Sequence, residues 1–314
     1  MSTQNDITNW IRTRTDRLDS RFGEYDLAGM GMLAPVVAFF VVVSVVPILY
    51  GIWLSFQTGT GAVDLSYTGV ANYVEVLQDP MFWSSAWRGV IFAVYSVVLQ
   101  LGIGVAIALA LNQRIKFANI TRAIIFLPYM IPTIAVAAMF KWILQNRVGV
   151  LNYILIELGL IAQRMTFFTE ALAMHTVVWA STWKWTVFVI LLVLARLQSI
   201  DPTLYEAART NGASMFRQFM DVTLPQIKSI LLLIVLLRTI WQFSKFEMIF
   251  LLTQGGPFDA TTTLVIYAYD YAFGDLSFGL ASATTTLLFI LLIGFAVVYF
   301  GVFSPEEEVE VTDG

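Results

Sequence analysis

The residue types that perform bond chemistry are scarce in this chain. Its 314 residues include one histidine, His175, and no cysteine. This composition excludes disulfides, thiolate nucleophiles and the usual cysteine or histidine metal centres. The sequence contains neither a G-x-S-x-G nucleophile turn nor a G-x4-G-K-[ST] phosphate loop. We therefore expect that the chain is not an enzyme and that it binds no metal ion, ATP or other cofactor itself.

Polar and aromatic side chains inside long apolar stretches indicate a different kind of site. Such polar groups are costly in lipid and usually face a protein interior or a substrate path. Helical spacing places one group on a single face of stretch 171–195 and another along stretch 229–252. Aromatic rings stack on the apolar faces of sugars, and amides and hydroxyls bond their hydroxyl groups. The candidate path residues are Ser181, Trp185, Phe188, Trp241, Gln242 and Lys245.

The elements that must position these residues are membrane helices. The chain is 58% hydrophobic and 13% charged, which is far more apolar than a soluble domain. Each span needs roughly 20 residues to cross the hydrocarbon, and backbone groups in lipid must bond within a helix. The composition predicts an all-α membrane protein with six spans. They are placed at 28–56, 89–112, 123–144, 171–195, 229–252 and 278–303.

Basic residues predict the orientation. Lys and Arg concentrate on the side that holds both termini, the loop after the second span and the loop after the fourth. That side is therefore expected to be cytoplasmic. The predicted organisation is a cytoplasmic segment 1–27, a membrane domain 28–303 and an acidic cytoplasmic tail 304–314. The basic residues are Arg12, Arg14, Arg17, Arg21, Arg114, Lys116, Arg122, Arg196, Arg209, Arg217 and Lys228.

The loop 199–227 carries the most specific pattern. Asp201 is a good N-cap and Pro202 suits the first helical position, which predicts a short helix ending at Thr210. Asn211 and Gly212 both tolerate a left-handed backbone and predict a stop. A second short helix is predicted over 213–222, with Pro225 separating it from the fifth span. Two interpretations stay open from these residues: a docking surface for another protein, or an amphipathic elbow in the lipid headgroups.

The loop resembles the EAA loop of ABC-importer permeases, E-A-A-x3-G-x9-I-x-L-P, with Val222 in place of the usual Ile. The resemblance implies a type I importer transmembrane domain whose two coupling helices dock on an ATPase. It also implies a second permease subunit, two ATPase subunits that carry ATP and Mg, and an extracytoplasmic sugar-binding protein. The coupling residues it implies are Tyr205, Glu206, Ala207, Ala208, Asn211, Gly212, Ala213, Leu224 and Pro225.

The segment L-L-T-Q-G-G-P at 251–257 narrows the resemblance to maltose-type and glycerol-phosphate-type permease subunits. Gly255, Gly256 and Pro257 predict an outer turn that touches the binding protein, with a plain connecting loop as the alternative. The sugar itself stays open, and Arg238 or Lys245 would also suit a phosphate. The competing function is a secondary transporter or channel for a small polar solute.

Overall fold

The computed structural model describes residues 24–61, 64–113 and 118–303. Residues 1–23 and 304–314, which hold most of the predicted N-terminal segment and the whole predicted tail, lie outside these ranges, as do Arg114 and Lys116. The chain divides into two compact units, Met1–Leu54 and Ser55–Gly314, each described by itself below. The bounds of the membrane domain, 28–303, stay a prediction.

The described part of the first unit is one long helical segment. It comprises α1 (Glu24–Phe40), a π turn (Val41–Val45) and α2 (Val46–Leu54). Pro47 has no backbone N–H to donate and its ring crowds the carbonyl four residues earlier, so the wider π turn that includes Val43 accommodates it. None of the residues that make up the candidate span Met32–Leu54 is buried, which suits lipid contact.

The second unit is almost entirely helical. A two-residue β pair, β1 (Gln57–Thr58) with β2 (Ser66–Tyr67), runs antiparallel near its start. Two further π turns, Phe219–Thr223 and Asp270–Gly274, extend neighbouring helices. The helices are α3 (Ala71–Gln78), α4 (Pro80–Leu111), α5 (Ala118–Met130), α6 (Thr133–Ile143), α7 (Val150–Glu157), α8 (Ala173–Gln198), α9 (Pro202–Thr210), α10 (Met215–Gln218), α11 (Leu224–Phe243), α12 (Glu247–Thr253), α13 (Leu264–Tyr269) and α14 (Phe278–Val302).

The described residues confirm an α-helical membrane protein. They contain five helices long and apolar enough to cross a membrane, or six if the bent pair α5 and α6 is one span. That pair bends by 96° between Met130 and Thr133. Pro132 causes the break, because a proline disfavours helical geometry in the residue before it, Ile131. The predicted third span, 123–144, is therefore correct in position but broken in the middle.

Two predicted spans have wrong boundaries. The second span starts at Pro80 rather than at 89, because the Asp79 carboxylate caps the helix by accepting from the Met81 backbone N–H at 2.8 Å. The fifth predicted span, 229–252, is wrong at both ends. A continuous helical segment runs from Met215 to Phe243, and α12 is a separate helix after a bend at 244–246.

Helices α4, α8 and α11 pack against one another and form the centre of the unit. Gly104 permits close approach of α4 to α8, because a Cβ there would lie 2.6 Å from Val189 Cγ1. One apolar cluster includes Phe92 and Ala180, and a second, nearer the loop 199–227, includes Ala108 and Ile234. In sequence, buried polar residues of α4 and α8 lie between these two clusters, and further buried polar residues follow Ile234 on α11.

Candidate functional site

The buried polar set joins three helices through one cation. Arg238 of α11 is 1% exposed, and its Nε and Nη2 donate to Oε1 of Gln100 on α4 at 2.8 and 2.5 Å. Nη2 also reaches Oε1 of Gln242 at 3.4 Å, and Gln242 Nε2 donates to Ser181 Oγ on α8 at 3.3 Å. We call Gln100, Ser181, Arg238 and Gln242 the amide network. Its acceptors are all neutral, so the charge on Arg238 is solvated but not compensated.

Trp185 is the centre of a second group. The Nζ of Lys245 lies 3.9 Å from the centroid of its ring, and the Nζ of Lys184 lies 5.1 Å away. The Arg238 Cζ is also within range, at 5.9 Å. These distances are those of cation–π contacts. Lys184 additionally donates to the carbonyl of Ile131, so it satisfies a backbone oxygen exposed by the break between α5 and α6.

The structure brings all six predicted path residues together in three pairs, two between α8 and α11 and one between α8 and the bend at 244–246. Ser181 bonds Gln242, Trp185 contacts Lys245, and the rings of Phe188 and Trp241 meet edge to face at 5.0 Å. Their role in binding a substrate stays a prediction.

One detail of the predicted path is wrong. Lys245 does not lie on the same helix as Trp241 and Gln242, although all three fall in the predicted stretch 229–252, because α11 ends at Phe243. Lys245 also makes no ion pair with the neighbouring Glu247. Within residues 24–61, 64–113 and 118–303, Arg217 and Asp221 form the one ion pair.

Gln100 is the functional candidate that sequence reasoning missed. Its signal was present, because it is the single amide in the interior of an otherwise apolar stretch, 97–111. A buried glutamine in a membrane helix needs a partner. That partner, Arg238, lies 138 positions away along the chain, so no local sequence pattern identifies it.

The loop between α8 and α11 confirms the predicted first helix and stop. Asp201 Oδ1 accepts from the Thr203 N–H at 2.9 Å, and this hydrogen bond lowers the pKa of the Asp201 carboxyl. Gly212 has φ +75°, and its N–H bonds the Arg209 carbonyl at 2.9 Å. A Cβ at Gly212 would meet no atom within 4 Å, so its need for glycine is conformational and not steric.

The predicted separation at Pro225 is wrong. The chain continues from α10 through the π turn Phe219–Thr223 into α11, with Pro225 in the first turn of α11. The wider π turn that includes Asp221 accommodates this proline, because Pro225 has no N–H to donate and its ring crowds the carbonyl four residues earlier. Tyr205 OH of α9 shares a hydrogen bond with Thr223 Oγ1 at 3.1 Å. The loop is thus fastened to the helix that carries Arg238.

The loop also presents an exposed apolar surface. Met215 is 87% exposed and Phe216 is 74% exposed, and Glu206 and Ala207 lie exposed on the preceding helix. Large apolar side chains exposed side by side mark a protein or membrane contact.

The turn after α12 is shaped by a glycine and threonines. Gly255 has φ +87°, and a Cβ there would lie 2.5 Å from Thr262 Oγ1, which donates to the Gly255 carbonyl at 3.2 Å. Gly256 and Pro257 follow through a cis peptide bond, and Phe258 is 83% exposed beyond them. The predicted turn is confirmed, and its contact with a partner stays a prediction.

A nearby contact fastens α13 to the start of α4. Tyr267 OH donates to the Asp79 carboxylate, and Tyr271 OH lies 2.8 Å from Tyr267 OH. The hydrogen bond from Tyr267 lowers the pKa of the Asp79 carboxyl. The pKa of the Tyr267 hydroxyl is raised, mainly because the group is buried and also because it donates to Asp79.

Comparison with known proteins gives a consistent result. Residues 101–305 match the family described as binding-protein-dependent transport system inner membrane component. The trehalose/maltose transport system permease protein of Thermococcus litoralis is 35% identical over 297 residues, which cover 94% of this chain and 96% of that protein. The lactose transport system permease protein of Rhizobium radiobacter is 31% identical over 273 residues, covering 86% and 91%.

A solved structure shows the same fold. It is a bacterial ABC transporter involved in the import of the acidic polysaccharide alginate, with a TM-score of 0.79 and 22% identity. The match covers 91% of this chain and 98% of that chain. The family match and the two permease relatives favour the importer interpretation over a secondary transporter or channel. The chain therefore belongs to the family of binding-protein-dependent transport system inner membrane components, as a multi-pass permease with the type I ABC-importer fold.

Proposed function

We propose that the chain is one of two permease subunits of an ATP-driven sugar importer that depends on a sugar-binding protein. The observation that carries this proposal is the exposed helical loop α9–α10, fastened by Tyr205 to the helical segment that becomes α11. The relatives named above are permeases for trehalose/maltose and for lactose, which supports a sugar as the cargo.

The loop is the docking site of the ATPase in this proposal. A partner subunit binds ATP and Mg and catalyses hydrolysis, while this chain performs no bond chemistry. Glu206, Ala207 and the exposed Met215 and Phe216 form the docking face. Because α10 continues through the π turn into α11 as one helical segment, displacement of the docking face moves Arg238 and the residues beyond it. Loop 199–227 and both termini lie in the cytoplasm.

The path lies where α8 and α11 meet the second permease subunit. Trp241 is 41% exposed there, and Trp185 and Phe188 are half-buried. Rings of this kind stack on the apolar faces of a sugar, and the partly buried ammonium of Lys245 supplies hydrogen bonds. On the opposite side of the membrane from the docking face, the turn at Gly255, Gly256 and Pro257 faces the sugar-binding protein.

Reconstitution tests the proposal. The chain is purified with its second permease subunit, the ATPase and the binding protein, and uptake of radiolabelled trehalose, maltose, lactose and glycerol 3-phosphate into proteoliposomes is measured. We expect ATP-dependent uptake of at least one of them, lost when either the ATPase or the binding protein is omitted. Uptake by this chain alone without ATP, or an assembly that contains no ATPase, would overturn the proposal in favour of a secondary transporter or channel.

A further inference from the structure

The residues around Trp185 carry more positive charge than they compensate. Lys184, Arg238 and Lys245 each place their cationic group within 6 Å of this ring, at 5.1, 5.9 and 3.9 Å. None of the three lies within 4.0 Å of a carboxylate in the described ranges. The one ion pair in those ranges joins Arg217 to Asp221, in the segment that leads from α10 into α11. Glu247 is the acid whose charge acts on Lys245 and on Lys184, and it is exposed.

Two of the three cations are already held in the fold. Arg238 is 1% exposed and bonded by amide oxygens, and Lys184 is 3% exposed and bonded to a backbone carbonyl. Lys245 differs, because it is only partly buried and no acceptor bonds its ammonium in the part of the chain that the structure describes. It is the cation of this group that is available to a ligand.

Hydrogen bonding shows the same imbalance as charge. Trp185 Nε1 and Gln100 Nε2 are buried in the same region, and neither has an acceptor among the described residues. Both groups are donors, like the ammonium of Lys245. The site is therefore short of acceptors, and of negative charge in particular.

A neutral sugar does not remove this imbalance. Each sugar hydroxyl brings a donor with its acceptor lone pairs and carries no charge. An uncompensated cation away from water is costly, whereas a carboxylate, sulfate or phosphate supplies both charge and acceptor oxygens. We propose that the path admits sugars that carry an anionic group, which Lys245 binds while the rings of Trp185 and Trp241 contact the sugar ring. This inference rests on the proposed function and names the substrate class for the same site.

The competing source of negative charge is a carboxylate of the second permease subunit. An anionic ligand and a protein carboxylate make different demands on Lys245. If Lys245 binds cargo, its loss lowers transport of anionic sugars alone. If it pairs with the other subunit, its loss weakens assembly and lowers transport of every sugar.

The test uses the complete transporter with its own binding protein. Matched sugars are glucose with glucuronate and trehalose with trehalose 6-phosphate, so that a carboxylate and a phosphate are assayed separately. Binding-protein affinity is measured by calorimetry and ATP-dependent uptake in proteoliposomes. We expect the anionic member of at least one pair to bind more tightly and to be taken up. Lys245→Met should lower its kcat/KM about tenfold or more.

Two further variants make the result specific. Lys245→Arg keeps the charge and should retain most of the uptake, and Lys141→Met removes an exposed lysine of α6 and should leave uptake unchanged. A binding protein that prefers only the neutral members overturns the inference, as does equal loss of both members or loss of the second subunit from the purified Lys245→Met complex. ATP-dependent uptake of a neutral sugar would still support the proposed function, so the two failures are distinguishable.

Discussion

At the scale of single residues, Arg238 is held by amides and not by an acid. The guanidinium fork donates twice to Gln100 Oε1 and once to Gln242 Oε1, in a site that excludes water. Hydrogen bonds to a charged group contribute more than neutral ones, and an unsatisfied buried charge costs still more. Gln100 is therefore expected to matter for the stability of the chain as much as for its path.

Replacement of Gln100 by leucine tests this role. Gln100→Leu leaves the Arg238 charge with one weak acceptor, and we expect a loss of about 2–3 kcal/mol in the free energy of unfolding in detergent. The double variant Gln100→Leu/Arg238→Met should recover most of it, because no charge is then left unpaired. Gln198→Leu, at the exposed end of α8, is the matched control and should change little. A double variant no more stable than the single one would contradict this account.

At the scale of elements, the continuity of α10, the π turn and α11 is the main feature. Thr223 lies 4% exposed within the π turn and shares its hydrogen bond with Tyr205, so α9 is attached to the same helical segment. A helix transmits displacement along its axis better than a loop with a flexible joint. The arrangement suits a docking face that moves the path-lining residues.

Gly212 is the residue at which this element can be disturbed without disturbing the membrane core. Gly212→Asp adds a negative charge to the docking face near Glu206, and we expect ATP-dependent uptake to fall at least about tenfold. Gly212→Asn tolerates the same left-handed backbone without the charge and should keep most of the uptake. Immunoblots of membranes check that both variants are inserted. Normal transport by Gly212→Asp would count against the coupling role.

At the scale of the whole molecule, the proposed function makes the chain one part of an assembly. Trp241 is 41% exposed on the path side and Phe216 is 74% exposed on the loop, and each surface has an occupant in the proposed complex. The two surfaces belong to opposite ends of one helical segment, Met215–Phe243. Their separation across the membrane is what the transport cycle requires.

The absence of cysteine makes the orientation directly measurable. Single cysteines are introduced at Phe258, on the turn after α12, and at Gln113, after α4, and both positions are exposed. A membrane-impermeant maleimide should label Phe258→Cys in intact cells and Gln113→Cys only in inverted vesicles. The opposite pattern would reverse the predicted topology and remove the loop from the side where ATP is available.

Local sequence patterns were sufficient to predict the membrane spans and several helix ends of this protein. The lengths of the apolar stretches predicted the membrane spans, and Asp201 with Pro202 and Gly212 predicted the bounds of α9, because caps and stops depend on residues within one helical turn. The six candidate path residues were also recognisable as a set, since polar and aromatic groups stand out in apolar helices, and their role in transport stays a prediction.

Only the tertiary structure decided which of these residues meet. The bond from Arg238 to Gln100 depends on the packing of α11 against α4, just as the closeness of α4 to α8 depends on Gly104 lying against Val189. A proline is compatible with either a continuous or a broken helix. The helix continues through Pro225 but breaks before Thr133, and only the backbone geometry shows which outcome occurs at each. Pairings between distant segments follow from interhelical register, which short-range sequence patterns do not encode.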